Sequence, residues 1–247
     1  MIIDNRKGDI TLSSKQIAYI CHRRFGVGAD GLMLLLSSQN ADFQMVYYNS
    51  DGNTASMCGN GARCITAFAR RLGIIGTETH FVAGDDMHTA SVVAWDGNNG
   101  VVRVAMNVVE NVTPCLDGYF VNTGVPHYVC QVQDVENFDV RSNGRRLRFH
   151  PVFRRQGANV DFIECLNGKL FVRTYERGVE DETLSCGTGV TASALVWNRL
   201  DHNALDSVSV QTLGGNFVVD WKNDNGVERD VHLQGPAAFV FDGEIGV

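Results

Sequence analysis

The sequence lacks the features that define membrane, secreted and nucleic-acid-binding proteins. It has no apolar run long enough to span a bilayer and no signal peptide at Met1, so no membrane association is expected. Its net charge is −7, and basic residues form only short pairs such as Arg145-Arg146. This composition argues against nucleic acid as a partner, because nucleic-acid binding needs a basic patch or stripe.

Cysteine usage excludes two further classes. There are seven cysteines, an odd number, and no C-x-x-C pair. The pattern argues against a disulfide framework and against a structural zinc site, and it predicts a protein of the reducing cytoplasm. Only four prolines stand against 26 glycines, which predicts many tight turns.

The most informative stretch is Cys58-Gly59-Asn60-Gly61, which follows an apolar strand ending at Tyr48 and a polar turn. It opens a predicted helix whose apolar positions share one face and which Gly73 closes; they are Ile65, Phe68, Ala69 and Leu72. Unpaired N–H groups at a helix start attract an anion such as a carboxylate. The same N–H groups favour the thiolate form of a nearby cysteine. One position thus offers a carboxylate site and a reactive sulfur.

The same arrangement occurs again downstream. Cys186-Gly187-Thr188-Gly189 follows a predicted strand over residues 170–175 and opens a second helix. The repeat predicts two similar halves, residues 1–112 joined by 236–247, and residues 113–235. The alternative is a pair of buried structural cysteines beside tight turns.

Periodicity and turn signals predict an α+β fold. A helix capped by Ser13 or Ser14 is predicted to end near Gly26, and the pattern breaks over residues 109–117, where we place the boundary between halves. Strands are predicted at residues 2–3, 32–36, 43–48, 81–83, 89–95, 101–106, 120–121, 128–132, 160–166, 170–175, 208–212, 217–221, 231–233 and 238–241. Each half is then a curved, mostly antiparallel sheet or barrel around one central helix.

Two facing helix starts, each with a cysteine, would suit an epimerase or racemase. If a carboxylate lay between them, its α-carbon would have one sulfur on each face. Removing the α-proton places negative charge on the carboxylate, where the helix N–H groups already point. One thiolate would take the proton and one thiol would return another, without any cofactor.

The chain resembles the diaminopimelate epimerase family, cofactor-independent two-cysteine isomerases, over nearly its whole length. The resemblance depends on seven motifs: GVGADGL (Gly26 to Leu32), YNSDG with MCGNGARC (Tyr48 to Cys64), PH (Pro126-His127), GANVDF (Gly157 to Phe162), YERG (Tyr175 to Gly178), CGTG (Cys186 to Gly189) and GP (Gly235-Pro236). It implies a fold of two pseudo-symmetric halves. It also implies epimerisation of LL-2,6-diaminoheptanedioate to the meso form, in lysine and peptidoglycan precursor synthesis.

The resemblance also implies roles for individual residues. Cys58 and Cys186 would be the catalytic pair, the first usually called the proton donor and the second the acceptor. Gly59, Asn60, Gly187 and Thr188 would hold the reacting carboxylate. Asn49, Asn159, Glu176 and Arg177 would bind the far end of the substrate, and His127 and Glu176 would tune the cysteine pKa values. The family implies no pyridoxal phosphate, no metal, a small diamino dicarboxylate as ligand and a homodimer.

Three departures from the family pattern affect expected substrate contacts. Members usually open with a G-x-G-N-D-F motif whose Asn binds substrate, whereas this sequence begins at Met1-Ile2-Ile3-Asp4-Asn5, so we expect one missing contact and impaired activity. Many members have Asn before Pro-His, where Val125 stands here. Some have Gln in the GVGADGL loop, where this chain has Gly31.

Three rival functions stay open at this point. A proline or hydroxyproline racemase shares the fold and the two-thiol chemistry, but typically carries His where Asn60 stands. A non-catalytic or truncated binding homologue is the second. A thiol oxidoreductase is the third, and the wide spacing of Cys58 and Cys186 argues against it.

Overall fold

The computed structural model describes residues 1–55, 58–84, 86–153, 155–202 and 205–246. Met57, which belongs to the MCGNGARC motif, lies outside the described residues. The chain divides into two compact units, Met1–Val104 with Pro236–Val247, and Ala105–Gly235. The domain boundary between residues 112 and 113 stays a prediction. In the described part of the chain, no helix is long and apolar enough to cross a membrane.

The first segment of the first unit contains seven strands and two helices in its described residues, and the last of these strands ends one residue beyond it, at Ala105. In chain order these are β1 (Ile2–Asp4), α1 (Ser14–Cys21), β2 (Gly31–Leu36), β3 (Phe43–Asn49), β4 (Thr54–Ala55), α2 (Gly59–Arg71), β5 (Glu78–Ala83), β6 (Asp86–Trp95) and β7 (Asn99–Ala105). The strand order is β1-β2-β3-β5-β6-β7, with β4 paired to β3. β1 runs parallel to β2 and β3 runs parallel to β5, while the pairs β2/β3, β5/β6 and β6/β7 are antiparallel.

Helix α2 supplies the centre of the first core. Its buried face consists of small and branched residues, among them Ala62 and Ile65, which are fully buried. They pack with Phe43 and Phe81, neighbours in the parallel pair β3/β5 whose rings stack 5.2 Å apart. Because small side chains allow close approach, the sheet packs closely on the helix that begins beside Cys58.

Helix α1 begins as predicted but ends earlier. Ser13 accepts from the Gln16 backbone N–H, and the Gln16 side chain accepts from the Ser13 N–H, which completes a capping box. The prediction of an end near Gly26 was wrong, since the helix ends at Cys21. The chain turns back instead, and Gly26 lies against the Tyr19 and Ile20 carbonyls, where a Cβ atom would have no room.

The second unit contains nine strands, two α-helices and a short 3-10 turn in its described residues. These are β8 (Glu110–Cys115), β9 (Gly118–Asn122), β10 (Pro126–Gln131), α3 (Val140–Arg148), the turn Pro151–Phe153, β11 (Asn159–Leu166), β12 (Lys169–Glu176), β13 (Asp181–Thr183), α4 (Gly187–Leu200), β14 (Ser207–Thr212), β15 (Gly215–Asp224) and β16 (Val227–Ala238), whose last three residues belong to the first unit. The order is β16-β15-β14-β12-β11-β10-β9-β8, with β13 paired to β12. Among the described pairs of these strands, β10/β11 and β12/β14 are parallel and the others are antiparallel.

Helix α4 takes the corresponding central position in the second core. Val190, Ala194 and Leu195 are almost completely buried and pack against apolar residues of the surrounding strands. The predicted hairpin at Asn167-Gly168 is confirmed, because both residues have positive φ and join antiparallel β11 and β12.

The α+β class predicted from the sequence is confirmed. The described strands form a mixed sheet that includes four parallel strand pairs.

Two local predictions were wrong. Residues 109–117, interpreted as a break, contain β8, which pairs with β9 across a register shift. Pro114 is tolerated because β8 ends the strand order of its unit, where a missing N–H costs little. Residues 238–241 do not form a separate strand, since β16 ends at Ala238. Phe239 instead donates its N–H to the Asn98 carbonyl, within the first unit.

Candidate active site

Cys58 is the N-cap residue of α2. Its backbone is extended, with φ −131° and ψ 121°, and its Sγ accepts the Gly61 backbone N–H at 3.5 Å. Its side chain is partly buried. The sulfur therefore lies where the first-turn N–H groups of a 13-residue helix converge, as predicted.

A buried guanidinium accompanies Cys58 in the first turn of α2. Arg63 donates through Nη1 to the Gly59 carbonyl at 3.3 Å and through Nη2 to Asn60 Oδ1 at 2.9 Å. Burial lowers the pKa of Arg63, and attraction to the Cys64 and Cys58 thiolates opposes that shift. Gly59 and Asn60 are thus held by a cation that the sequence reasoning did not assign to the site.

Asn49, the third predicted contact of this unit, ends β3 and is exposed. Its N–H donates to the Asn53 carbonyl, and its own carbonyl accepts the Gly52 N–H. The main chain is therefore fixed at this turn. The glycine at position 52 is required there, because its φ is +85° and a Cβ would collide with the Ser14 carbonyl.

Cys186 is the N-cap residue of α4, also with an extended backbone, at φ −112° and ψ 113°. Its Sγ lies 3.3 Å from Thr188 Oγ1. Burial raises the pKa of the Cys186 thiol to about 12, and the negative charges of Glu176 and Asp161 contribute to this increase. Some of the side chain still reaches solvent. Cys186 is thus a thiol at neutral pH.

His127 connects the predicted residues of the second unit. Its ring is completely buried, with Nδ1 2.6 Å from Asp161 Oδ2 and Nε2 2.9 Å from Thr188 Oγ1. Asn159 Nδ2 lies 3.3 Å from the same Nε2. His127 and Asn159 are neighbours in the parallel register of β10 and β11, which explains their proximity.

Asp161 belongs to this site, although the sequence reasoning gave it no role. It is fully buried, and its Oδ1 accepts the Thr174 hydroxyl at 2.7 Å, across the antiparallel pair β11/β12. The GANVDF motif contained a signal for this role of Asp161. Asp161 lies two positions after Asn159 in a strand, so both side chains point to the same face.

Glu176 and Arg177 lie where β12 ends. The Arg177 backbone N–H donates to Asn159 Oδ1 at 2.8 Å, and its Nη1 donates to the Gln156 carbonyl at 3.3 Å. Glu176 acts on Cys186 through its charge. Of the eleven site residues named from the sequence, the second unit thus brings together Cys186, Thr188, His127, Asn159, Glu176 and Arg177, while Gly187 begins α4. Their catalytic and binding roles stay predictions.

Comparison with known proteins identifies the family. The family model described as "Diaminopimelate epimerase" matches residues 1–110 and 119–240. The chain belongs to the diaminopimelate epimerase family. Among relatives named diaminopimelate epimerase, that of Flavobacterium psychrophilum is 42% identical, covering 98% of this chain and 94% of its own length. That of Chlorobaculum tepidum is 38% identical, covering 99% and 96%.

Solved structures share the fold of this diaminopimelate epimerase family member at low sequence identity. A Bacillus anthracis phenazine biosynthesis protein of the PhzF family gives a TM-score of 0.71 at 14% identity, covering 99% of this chain and 92% of that chain. A probable proline racemase from Agrobacterium radiobacter gives 0.63 at 16% identity, covering 96% and 86%. At such identities the likeness concerns the fold alone.

Proposed function

We propose that the protein converts LL-2,6-diaminoheptanedioate into its meso isomer, with Cys58 and Cys186 as its two acid–base groups and without a cofactor. One observation carries the proposal: in a chain that the family model matches almost throughout, each unit has a cysteine at the N-cap of its central helix. The reaction is an amino-acid epimerisation of lysine and peptidoglycan precursor synthesis.

The chemistry needs one sulfur as thiolate and the other as thiol. The thiolate removes the α-proton, and the thiol delivers a different proton to the opposite face, so configuration inverts and the two sulfurs exchange protonation states. The proposal requires both sulfurs to reach opposite faces of one α-carbon. Negative charge that develops on the substrate carboxylate is stabilised by N–H groups at the starts of α2 and α4.

The remaining residues divide between the two ends of the substrate. The reacting carboxylate is bound at Gly59, Asn60, Gly187 and Thr188, and the far end at Asn49, Asn159, Glu176 and Arg177. An arginine suits the far carboxylate because its planar group can bind both oxygens. His127 and Glu176 tune the thiols. Support for the last role comes from the Glu176 charge, which raises the pKa of Cys186.

Two properties of the assembled protein belong to the same proposal. We expect a small diamino dicarboxylate as the ligand and a homodimer as the working form, both by analogy with the family. A cytoplasmic location follows from the cysteine usage described above. Sedimentation of the purified protein tests the homodimer directly.

The test is incubation with LL-diaminoheptanedioate in deuterated water, followed by chromatography of the isomers and mass spectrometry. The meso isomer should appear with deuterium at its α-carbon. Cys58→Ala and Cys186→Ala should each abolish its formation, while Cys165→Ala, a partly buried cysteine in β11, should leave the rate within about twofold.

Two results would overturn the proposal. One is the absence of any exchange by the wild-type protein with either diaminoheptanedioate isomer. The other is deuterium incorporation into proline in preference to diaminoheptanedioate, which would assign a proline-type racemase instead.

A further inference from the structure

A chain of hydrogen bonds with a determined direction begins at the Arg177 backbone. Its N–H can only donate, so the Asn159 atom that it meets at 2.8 Å is the carbonyl oxygen Oδ1. The amide NH2 of Asn159 must therefore face His127 Nε2, at 3.3 Å. This backbone contact fixes the amide orientation, which side-chain contacts alone would leave ambiguous.

The partners of its two ring nitrogens fix the tautomer of His127. The Asp161 carboxylate can only accept, so the proton of the neutral ring resides on Nδ1, and the Asn159 NH2 group directed at Nε2 agrees with an unprotonated nitrogen there. Nδ1 then donates to Asp161 Oδ2 at 2.6 Å. The other Asp161 oxygen accepts the Thr174 hydroxyl, so the carboxylate is held on both sides within a fully buried environment.

The tautomer in turn fixes the hydroxyl of Thr188. Thr188 Oγ1 lies 2.9 Å from Nε2, and an unprotonated nitrogen can form that hydrogen bond only by accepting. The single proton of the hydroxyl is thereby committed to His127. Toward Cys186 Sγ, 3.3 Å away, Thr188 presents a lone pair. That contact is a hydrogen bond only when Cys186 carries its proton.

We propose that Asp161 is a positioning residue: by holding His127 with its proton on Nδ1, it commits the Thr188 proton to His127 and keeps Cys186 a thiol in the resting protein. All of these hydrogen bonds lie within the second unit. The catalytic consequence, that Cys58 is the resting base, rests on the proposed two-thiol function.

The charges around each cysteine agree with this assignment. Burial is the largest effect that disfavours the Cys186 thiolate. Glu176 at the end of β12 and Asp161 on β11 add to it, and together they outweigh the Gly189 backbone N–H, which favours the thiolate. Around Cys58 the nearby charge is of opposite sign, since Arg63, the fifth residue of α2, is a buried cation whose guanidinium reaches back to the Gly59 carbonyl.

The first test is 15N NMR of histidine-labelled protein, with the His127 signals assigned by their absence in His127→Gln. We expect a protonated Nδ1 and an unprotonated Nε2 in the wild-type protein at neutral pH. A proton on Nε2 would overturn the proposal, because Thr188 would then be free to donate to the sulfur.

The second test measures the pH dependence of Cys186 alkylation by iodoacetamide, followed by peptide mass spectrometry. Thr188→Val removes the acceptor for the thiol, so its alkylation midpoint should fall by about 0.7 pH units, roughly a fivefold change in thiolate fraction. Thr188→Ser keeps the hydroxyl and should restore the wild-type midpoint. A midpoint that rises or stays constant in Thr188→Val would contradict the proposal.

The third test compares Asp161→Asn with Asp206→Asn, a matched loss of charge at an exposed aspartate of the same unit. In Asp161→Asn the amide can present its NH2 to Nδ1 and select the wrong tautomer. The expected result is a kcat at least about tenfold lower with KM within about twofold, together with a lower alkylation midpoint. Kinetics and midpoint indistinguishable from Asp206→Asn would overturn the proposal.

These experiments separate the two proposals. If the wild-type protein does not epimerise diaminoheptanedioate, the proposed function fails, yet the tautomer and the alkylation midpoints still decide the role of Asp161. If Asp161→Asn does not fold, the wild-type NMR and the Thr188 variants decide it. A folded, active wild-type protein with Nε2 protonated would refute the positioning role and leave the proposed function intact.

Discussion

Substituting Gly189 by alanine tests how tightly the site is packed. Gly189 is the third residue of α4, and a Cβ atom there would lie 2.4 Å from Asp161 Oδ1 and 3.2 Å from His127 Cε1. Asp161 cannot move away without breaking its bonds to His127 and Thr174. The added methyl group must therefore shift the first turn of α4 or disrupt the buried carboxylate.

The cost can be worked from the two effects that compete. Alanine is favoured over glycine in a helix by up to about 1 kcal/mol. Overpacking a rigid interior costs about 1–3 kcal/mol, and losing a hydrogen bond to a charged group costs about 1.5–3 kcal/mol. Because overpacking and the lost hydrogen bond together exceed the gain in helix propensity, we expect the free energy of unfolding to fall by about 2 kcal/mol, which lowers the Tm by roughly 4–8 °C.

Thermal and urea unfolding measure this loss, with Gly76→Ala as the matched control. Gly76 has no atom within 4 Å of its added Cβ and no positive φ, so that variant should be as stable as the wild type or slightly more so. Epimerase kinetics should show a reduced kcat for Gly189→Ala alone.

A double-mutant cycle with Asp161→Ala can refute the reasoning. Removing the carboxylate also removes the collision, so Gly189→Ala should cost less than about 0.5 kcal/mol in the Asp161→Ala background. If the two costs simply add, the methyl group is not meeting Asp161, and the packing argument for this site is wrong.

Three further predictions concern the thiols, the α2 start and the core. Burial raises the pKa of the Cys130 thiol to about 12, above its unfolded value, so the stability it contributes is lost as pH rises from about 9 to 12. Urea unfolding of Cys130→Ala should show a smaller loss over that range, and an equal loss in both proteins would contradict this prediction. Gly61→Ala should lower the free energy of unfolding by less than about 1 kcal/mol, because its Cβ would meet only the flexible side chains of Met33 and Met45 and the Cys58 Cβ at 3.4 Å. A loss as large as that of Gly189→Ala would contradict this prediction. Phe81→Ala removes a fully buried ring and should lower the free energy of unfolding by about 3–5 kcal/mol, whereas a loss below about 1 kcal/mol would exclude its central place in the first core.

Elements with strong local signals were predictable from the sequence. Both central helices begin where the C-G-x-G motifs start, and the Asn167-Gly168 turn joins the hairpin it predicts. The end of α1 was not predictable from periodicity, because the apolar pattern continues past Cys21 while the Val27 and Gly28 N–H groups turn back to the Ile20 carbonyl. β8 was missed because Pro114 is tolerated only at the end of a strand order, which local sequence does not specify.

For the candidate site, too, the residues were easier to predict from the sequence than their contacts. The sequence indicated Cys186, His127 and Asn159, but their hydrogen-bond partners depend on strand register. Asp161 contacts His127 because β10 and β11 run parallel, with His127 opposite Asn159 and Val129 opposite Asp161. That pairing joins strands 32 positions apart in the chain, counted from His127 to Asn159, and no local pattern determines it.

In the proposed mechanism, two different thiols handle the proton on the two faces of the α-carbon. The most direct measurement is the initial-rate distribution of deuterium between product and recovered substrate, with LL-diaminoheptanedioate in deuterated water. If two thiols act, solvent deuterium should appear in nearly every meso product molecule and in almost none of the remaining LL substrate. Product that keeps its original proton, or substrate that exchanges as fast as product forms, would contradict this mechanism.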